Sequence, residues 1–212
     1  MRNLAIIIVS LTLFTAKTFS QNTNFPIDTA TGKIKFSEVV YLDSIPKATL
    51  YTKAREWFVR TFKSSKVVLE LEDKEAGKLI GKGDFTAITE ESMNDNEFIK
   101  KKGLVSKELR EKKNKGEVGS VSFIVSIYIK DGRYKYEITD LYHKGMTTTV
   151  AGYTATQPDG GDLGNSDPTC GFSEWMPRIR WKNIRANSLL TIETLIAELK
   201  SAMAAKDKTE DF

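Results

Sequence analysis

The period of the apolar positions changes several times along the chain, and each change predicts a structural element. A first strand is predicted at 34–42, because apolar residues gather there between two turn-forming segments. A helix is predicted at 47–62, and two further strands at 67–72 and 78–88. The apolar stripe of this helix consists of Leu50, Ala54, Trp57, Phe58 and Phe62. We expect the stripe to pack on a sheet through its adjacent Trp-Phe pair.

The Asp131-Gly132 dipeptide is the clearest local signal, because it favours the positive φ angles of a two-residue hairpin turn. Pairing the residues on either side of this dipeptide predicts two long antiparallel strands, with one apolar face and one more polar face. The same register places His143 opposite Ser120 at the end of the second strand, on the more polar face. A slip of one residue would exchange the two faces, so the pattern specifies the register.

Two segments depart from the strand and helix periods. Residues 90–117 contain eight Lys or Arg and seven Asp or Glu, which predicts a solvated, partly helical insertion. Residues 144–185 are rich in Gly, Pro and Asp, which predicts a long loop. A last helix is predicted from Asn187 and Ser188, which favour an N-cap, to about Ala205.

The predicted order is strand, helix, four strands, helix, which indicates an α+β protein. We expect one antiparallel-rich sheet with both helices on one face, in a single domain at 21–206 followed by a frayed tail at 207–212. Gly81 and Gly83 share a face of the third strand, and glycines at such positions favour close approach of a helix.

The N-terminus has the pattern of a secretory signal. Arg2 precedes an apolar run at 4–14, and Ser20 supplies a small residue at the cleavage site. The apolar run is shorter than the roughly 20 residues that span a bilayer. We therefore expect cleavage near Ser20, a periplasmic or secreted protein, and no stable membrane insertion after cleavage.

The charge balance argues against nucleic-acid binding. The chain has 32 basic and 28 acidic residues, and removal of residues 1–20, which include Arg2 and Lys17, leaves 30 against 28. A nearly neutral chain lacks the basic excess of a nucleic-acid-binding domain. The run at 77–83 lacks the spacing of a phosphate loop, so we expect no nucleotide and no cofactor. Cys170 is the single cysteine, so the chain can form no internal disulfide.

Several short runs in the first half of the chain carry a family resemblance. They are Phe25-Pro-Ile-Asp28, Thr31-Gly-Lys-Ile34, Glu38-Val-Val40, Leu50-Tyr51, the helix around Trp57, Phe62-Lys-Ser-Ser65 and Gly77-Lys-Leu-Ile-Gly-Lys-Gly83. Together they resemble the DUF4468 family, a domain of unknown function with a TBP-like fold found mainly in exported proteins of Bacteroidetes. The resemblance is strongest from Phe25 to about Phe85. It implies a TBP-like fold and a bacterial source, offers no catalytic motif, and does not imply DNA binding, because function belongs to sites rather than folds.

His143 and Cys170 are the single residues of their types, so they form the one conceivable pair of thiol and imidazole. The predicted register puts the histidine at a strand end, and the cysteine lies in the loop that follows, so the two can meet. No known protease signature surrounds the cysteine. A thiol-type hydrolase that uses this pair is the alternative function.

An oxygen-rich part of the 144–185 loop carries the candidate metal ligands. They are Asp159, Asp162, Asn165 and Asp167. Carboxylate and amide oxygens suit calcium, but their spacing does not follow the alternating ligand pattern of an EF-hand. Asp, Asn and Gly also occur in loops because they tolerate turns. We therefore expect no metal, with calcium at this loop as the alternative.

The last part of the loop has the composition of a recognition surface, because aromatic residues and arginine are enriched at interface hot spots. Its candidates are Phe172, Trp175, Met176, Arg178, Arg180 and Trp181. The alternative is that these aromatics cover the open face of the sheet, where Tyr128, Ile124 and Leu141 need cover. We expect an exported, non-enzymatic protein that binds a protein or peptide partner through this face and the 144–185 loop.

Overall fold

The computed structural model describes residues 24–61, 68–92, 95–102, 111 and 113–205, apart from the side chains of Val68 and Val150. The predicted signal at 1–20 and the predicted tail at 207–212 lie outside these residues. Within the described ranges, no helix combines the length and the apolar character that a membrane crossing requires.

The described residues form eight strands and three helices. The elements are β1 (Lys35–Tyr41), α1 (Lys47–Thr61), β2 (Val68–Asp73), β3 (Lys78–Ser92), α2 (Glu97–Lys102), β4 (Lys113–Lys130), β5 (Arg133–Lys144), β6 (Thr147–Val150), β7 (Tyr153–Thr156), β8 (Gly161–Asp162) and α3 (Arg178–Ala204). The main sheet has the order β1-β5-β4-β3-β2, with β8 beside the end of β5, while β6 and β7 form a separate hairpin. All pairings are antiparallel, so the predicted α+β class and sheet are confirmed.

Both long helices pack on the same face of the main sheet, as predicted. α1 lies against the central strands, and α3 lies against β3 and α1. The side chains buried between the two layers include Trp57, Phe58, Leu79, Phe123, Ile127, Tyr134, Ile138, Ile192 and Leu199. Full burial of one large apolar side chain contributes about 1.5 to 3 kcal/mol. This layer therefore supplies most of the apolar stabilisation of the fold.

Gly81 shows why the third strand carries glycine. A side-chain carbon added at this position would lie 2.7 Å from the ring of Phe58 on α1. Carbon atoms do not approach that closely without repulsion, so the missing side chain leaves room for the ring. The predicted close approach of a helix at this glycine is confirmed.

The β4–β5 hairpin follows the predicted register only in the half nearest the turn. Lys130 pairs with Arg133, and the same register continues to Ile124 opposite Thr139. Beyond this pair the register shifts by one residue near Asp140, whose φ angle of 56° lies in the left-handed region. Asp adopts this conformation more readily than most residues do, so the extra residue is accommodated as a β-bulge.

The bulge exchanges the faces of the last residues of β5. His143 pairs with Val121 rather than with Ser120, and both His143 and Leu141 are buried on the face that the helices cover. Tyr142 consequently points to the opposite face, where it is partly exposed. The prediction that His143 lies on the more polar face is therefore wrong, because a shift of one residue moves each side chain to the other side of a strand.

The charged segment predicted at 90–117 is partly built into the sheet. β3 continues to Ser92 and β4 begins at Lys113, and these two residues pair at the end of the ladder. Between them, α2 supplies helical structure. Polar residues can continue the ladder because strand pairing uses backbone groups, which almost every residue provides.

α3 begins directly after Pro177 and not at Asn187, so the predicted N-cap is wrong. The buried Trp181 and Ile184 continue the apolar stripe of the helix towards its N-terminus, and this packing extends the helix. Asn187 instead donates a side-chain N–H to the backbone oxygen of Ile88 at 2.7 Å. The residue predicted as a cap therefore ties α3 to β3.

Candidate functional site

The face of the main sheet opposite α1 and α3, which we call the open face, carries a mixture of apolar and hydroxyl side chains. Its residues alternate with the buried core residues along each strand and include Val39, Leu71, Ile80, Ser122, Ile124, Ser126, Tyr128 and Tyr142. Tyr128 and Tyr142 are 36% and 38% exposed, and Val39 and Leu71 are exposed to a similar degree. The open face thus presents large side chains to solvent between small hydroxyl residues.

Charged side chains on β1, β3 and β5 lie among these residues, and Lys135 stands between Tyr128 and Val39 in the register of the sheet. Glu137 accepts from the ammonium groups of Lys135 at 2.7 Å and Lys35 at 3.0 Å. Burial raises the pKa of Glu137, but the hydrogen bonds from the two lysines outweigh it and hold the pKa below its usual value. On β3, the Nζ atom of Lys78 lies 5.7 Å from the centre of the Tyr128 ring. Tyr128 therefore lies beside a lysine on a face that also carries the ion pairs of Glu137.

The segment predicted as a long loop contains the β6–β7 hairpin, which follows β5 within a few residues. Two pairs of threonine hydroxyls, at 3.1 and 3.0 Å, link its strands. Tyr153 lies beside the turn and is 84% exposed. The hairpin therefore carries an exposed aromatic ring at its own tip, in the pair of Val150 with Tyr153.

His143 is a buried residue whose two ring nitrogens both bind the backbone. Nδ1 accepts the N–H of Gly160 at 3.0 Å, and Nε2 lies 2.9 Å from the backbone oxygen of Val118, to which it donates. This pattern requires the neutral tautomer with its proton on Nε2. Burial lowers the pKa of His143, against a smaller opposing effect of the bond to Val118. The ring is therefore neutral and fixed in orientation.

Cys170 lies at the surface, and its Sγ atom is 3.4 Å from the backbone oxygen of Gly171. Partial burial of the thiol raises its pKa, which favours the protonated and less nucleophilic form. In the part of the chain that the structure describes, Cys170 and His143 form no hydrogen bond with each other. An imidazole with both nitrogens engaged cannot take the thiol proton, so this arrangement does not activate the cysteine.

The oxygen-rich segment uses its polar groups to hold turns. Asp159 and Asp162 each accept a glycine N–H through one carboxylate oxygen at 2.8 Å. The backbone oxygen of Asn165 accepts the indole N–H of Trp181 at 3.3 Å, and Asp167 is exposed. Among the described residues, no three His, Cys, Asp or Glu side chains converge in a way that could hold a metal ion.

The predicted recognition residues at the end of this segment divide into two groups. Met176 and Trp181 are buried, and Trp181 packs edge to face against the histidine ring with the ring centres 6.2 Å apart. Trp175 is 47% exposed, and Phe172 lies 4.2 Å from the guanidinium carbon of Arg178. Burial removes the first two residues from any surface that a partner can reach. Trp181 also covers the helix side of the sheet, so the expectation that it covers the open face is wrong.

Arg180, the remaining recognition candidate, forms an ion pair that sequence reasoning missed. Its Nε donates to Oε1 of Glu91 at 2.6 Å, and its Nη2 donates to the same oxygen. Its Nη1 donates to the backbone oxygen of Trp175 at 2.6 Å. Glu91 belongs to the segment predicted to be solvated, and 89 positions separate it from its partner. No local pattern links residues so far apart, and only the fold brings them together.

Comparison with known proteins gives a family and a fold. The family model described as a domain of unknown function (DUF4468) with TBP-like fold matches residues 36–144. The structure is similar to that of a TBP-like protein from Parabacteroides distasonis, with a TM-score of 0.52 and 16% sequence identity over 86% of this chain and 98% of that chain. A DUF4468 family protein from Bacteroides ovatus gives a TM-score of 0.47 and 12% identity over 86% of this chain and 92% of that chain. The similarity to the Parabacteroides distasonis protein supports the fold. Neither of the two similarities supports a statement about function. No curated protein matches the chain.

Proposed function

We propose a function for this chain from its surface, because the chain belongs to the DUF4468 family, whose description gives a TBP-like fold and no activity. The proposed function is non-enzymatic binding of a protein or peptide partner. The proposed contact surface is the open face together with the β6–β7 hairpin.

The exposed side chains of the open face carry this proposal. Val39, Leu71, Tyr128 and Tyr142 lie on four different strands of one sheet face, and each keeps more than a third of its surface exposed. Large side chains that stay exposed on one sheet face among charged residues are typical of an interaction surface. Tyrosine suits such a surface because its ring buries apolar area while its hydroxyl group forms hydrogen bonds.

The charged side chains of the open face support the same proposal. The ion pairs of Glu137 with Lys35 and Lys135 lie at the surface, where such pairs contribute about 0 to 1 kcal/mol to folding stability. Charges across an interface instead orient the partner and increase its rate of association. A partner whose charged groups alternate with apolar groups would match this arrangement.

Site-specific photo-cross-linking tests the proposed surface. A photoreactive phenylalanine analogue is introduced at Tyr128 or Tyr142, and the chain is irradiated in the envelope of its native cells. A matched control carries the analogue at Leu190, which is 63% exposed on α3, on the other side of the sheet. We expect one adduct of the same mass at both tyrosine positions and none at Leu190.

A second variant separates specific binding from chance proximity. Ser126→Arg places a large charged side chain on the open face between the two tyrosines and should abolish the adduct while the protein remains folded. Absence of adducts at both tyrosines, or the same adducts at Leu190, would contradict the proposal.

We also propose that the chain is exported to the periplasm or beyond. Support comes from the pattern of residues 1–20, in which Arg2 precedes a short apolar run and Ser20 offers a small residue at the cleavage site. N-terminal sequencing of the protein from the envelope fraction should begin at Gln21 or close to it. A sequence that begins at Met1 would contradict cleavage.

A further inference from the structure

The open face carries more basic than acidic side chains, although the chain as a whole, with 32 basic and 28 acidic residues, is nearly neutral. Alternate residues of a strand point to the same side of a sheet, so the pairing register shows which charged residues lie on this face. The acidic ones are Asp73, Asp84 and Glu137, and Glu70 at the bulge of β2 adds at most one more. The basic ones include Lys78, Lys82, Lys130, Arg133, Lys135 and Lys144.

Most of these cations have no carboxylate partner. One carboxylate oxygen of Glu137 accepts from both Lys35 and Lys135, so this acid is already shared between two lysines. In the part of the chain that the structure describes, five cations of the open face form no ion pair; they are Lys78, Lys82, Lys130, Arg133 and Lys144. The face therefore presents positive charge that its own acids do not neutralise.

The positive charge surrounds the exposed ring of Tyr128. Its neighbours on the adjacent strands are Lys135 of β5 and Lys78 of β3, and the Nζ atom of Lys78 lies 5.7 Å from the centre of the ring. Since neighbouring strands are about 4.8 Å apart, these two lysines lie on strands about 10 Å apart. Lys130 and Arg133 pair with each other on the same face, next to the turn. An aromatic ring with cations on both sides can contact apolar and acidic groups together.

This arrangement favours an acidic polypeptide segment as the partner. The unpaired ammonium and guanidinium groups attract carboxylates and repel a basic segment. Tyr128 offers a ring that buries apolar area and a hydroxyl group that forms hydrogen bonds. A nucleic-acid-binding domain, in contrast, has a basic excess over the whole domain, which this chain lacks.

We infer that the open face binds its partner through an acidic segment, whose carboxylates contact Lys78, Lys130 and Arg133 around Tyr128. The inference rests on the proposed function, because it names the chemistry of the partner for the same surface. The guanidinium group of Arg133 suits this role, since it can hold a carboxylate through two parallel hydrogen bonds. The contacts lie at the surface, so salt should weaken them.

Titration with three short peptides of equal length, followed by amide NMR spectra, tests this inference. Glutamate, glutamine or lysine alternates with serine in the three peptides. We expect the glutamate peptide to shift the resonances of the open face and to bind at least about tenfold more tightly than the glutamine peptide, with no binding of the lysine peptide. Raising the salt concentration from about 50 to about 500 mM should weaken the glutamate peptide by about threefold or more.

Charge reversal assigns the binding to this face. Lys78→Glu and Arg133→Glu should each weaken the glutamate peptide by about fivefold or more, and the folded state should persist because neither side chain is buried. Lys182→Glu makes the same change at an exposed position of α3 and should alter the affinity by less than about twofold. Equal weakening by the three variants would show that only the net charge of the chain matters, and this result would overturn the inference.

Comparison of polyanions gives a further test. A thymidine oligonucleotide with the same number of charges, and vesicles that contain phosphatidylglycerol, should bind more weakly than the glutamate peptide. Tighter binding of either probe would assign the face to nucleic acid or to lipid and overturn the inference. Equal binding of the glutamate and glutamine peptides would overturn it as well.

Photo-cross-linking separates this inference from the proposed function. Adducts at Tyr128 and Tyr142 that persist in Arg133→Glu would support the surface and overturn the acidic segment. Absence of adducts without this change would contradict the surface itself. Ser126→Arg blocks the surface by its bulk and adds a charge of the sign already present, so only the charge-reversal variants test the acidic segment.

Discussion

The two ends of the β4–β5 hairpin are determined in different ways. Near the turn, the strands pair as the alternation of apolar and polar residues predicts, from Lys130 opposite Arg133 onwards. At the far end, the bulge at Asp140 shifts the pairing and places His143 in the core. The alternation of apolar and polar residues therefore predicts strand pairing only up to the first residue with an unusual backbone conformation.

Segments that are distant in the chain pack against the end of the hairpin that lies away from its turn. β8 pairs with the end of β5, and Gly160 lies so close to Trp181 and His143 that a side chain there would overlap both rings. α3 supplies Trp181, and the end of β4 supplies the carbonyl of Val118 that binds the histidine. The near end is also bonded to other segments, since Gly132 exchanges backbone hydrogen bonds with Leu42 and Ile45, but its side chains do not enclose a buried aromatic cluster of this kind. Variants at the two ends should therefore differ in cost.

Trp181→Ala should have the largest effect, because it leaves a cavity between α3 and the far end of the hairpin. We expect the free energy of unfolding to fall by about 3 to 5 kcal/mol in urea denaturation. Trp175→Ala, which alters an exposed tryptophan six positions earlier in the chain, should cost less than about 1 kcal/mol. Similar costs for the two variants would show that the far end is not packed as described.

His143→Leu should have the next largest effect, because it keeps the bulk of the side chain and removes both ring nitrogens. The N–H of Gly160 and the carbonyl of Val118 would then be buried without these partners. A buried polar group without a hydrogen-bond partner costs about 1 to 3 kcal/mol. We therefore expect the free energy of unfolding to fall by about 2 to 3 kcal/mol in the same denaturation assay. A variant as stable as the wild type would show that these two hydrogen bonds contribute little.

The stability that depends on His143 should decrease in acid. Burial lowers the pKa of this histidine below its ordinary value of 6.5, so the unfolded chain binds a proton more readily than the folded chain. The stability that neutral His143 contributes is complete when the pH is above the unfolded-state pKa. It is lost as the pH falls towards the folded-state pKa, by at most about 1.4 kcal/mol per pH unit. The stability difference between wild type and His143→Leu should therefore shrink between about pH 7.5 and pH 5.5. A constant difference would contradict the lowered pKa.

Substitutions at the bulge and at the turn compare two left-handed positions directly. Asp140→Val and Gly132→Val each place a β-branched residue at a positive φ angle, and each should cost about 1 to 2 kcal/mol. Asp140→Gly should be tolerated, because glycine adopts this conformation without strain. If valine is tolerated at Asp140, the register of the far end does not depend on this residue.

Cys170→Ser should have the smallest effect, with a change in stability of no more than about 1 kcal/mol, because the side chain lies at the surface. The raised pKa of the thiol also predicts slow reaction with iodoacetamide at neutral pH. Fast labelling that disappears in a variant of His143 would support the thiol hydrolase alternative.

Local chemistry determined several elements, and these were predictable from the sequence alone. The apolar stripe of α1, the position of the Asp131-Gly132 turn and the glycine that admits Phe58 depend on residues whose spacing or backbone preference is visible in the chain. The expectation of positive φ angles at both turn residues is wrong, because only Gly132 has one, at 70°. The α+β class followed from the order of these elements. Tyr128 was also correctly predicted on the open face, because it lies on the turn side of the bulge.

Only the tertiary structure decided the surroundings of the residues that sequence reasoning placed wrongly. Tyr142 joined the open face and His143 entered the core because one backbone angle at Asp140 reversed the faces of the strand end. Glu91 became a buried partner of Arg180 because β3 extends into the charged segment and α3 begins early enough to reach it. Periodicity reports the local conformation of a chain, whereas burial and ion pairing depend on which distant segments the fold brings into contact.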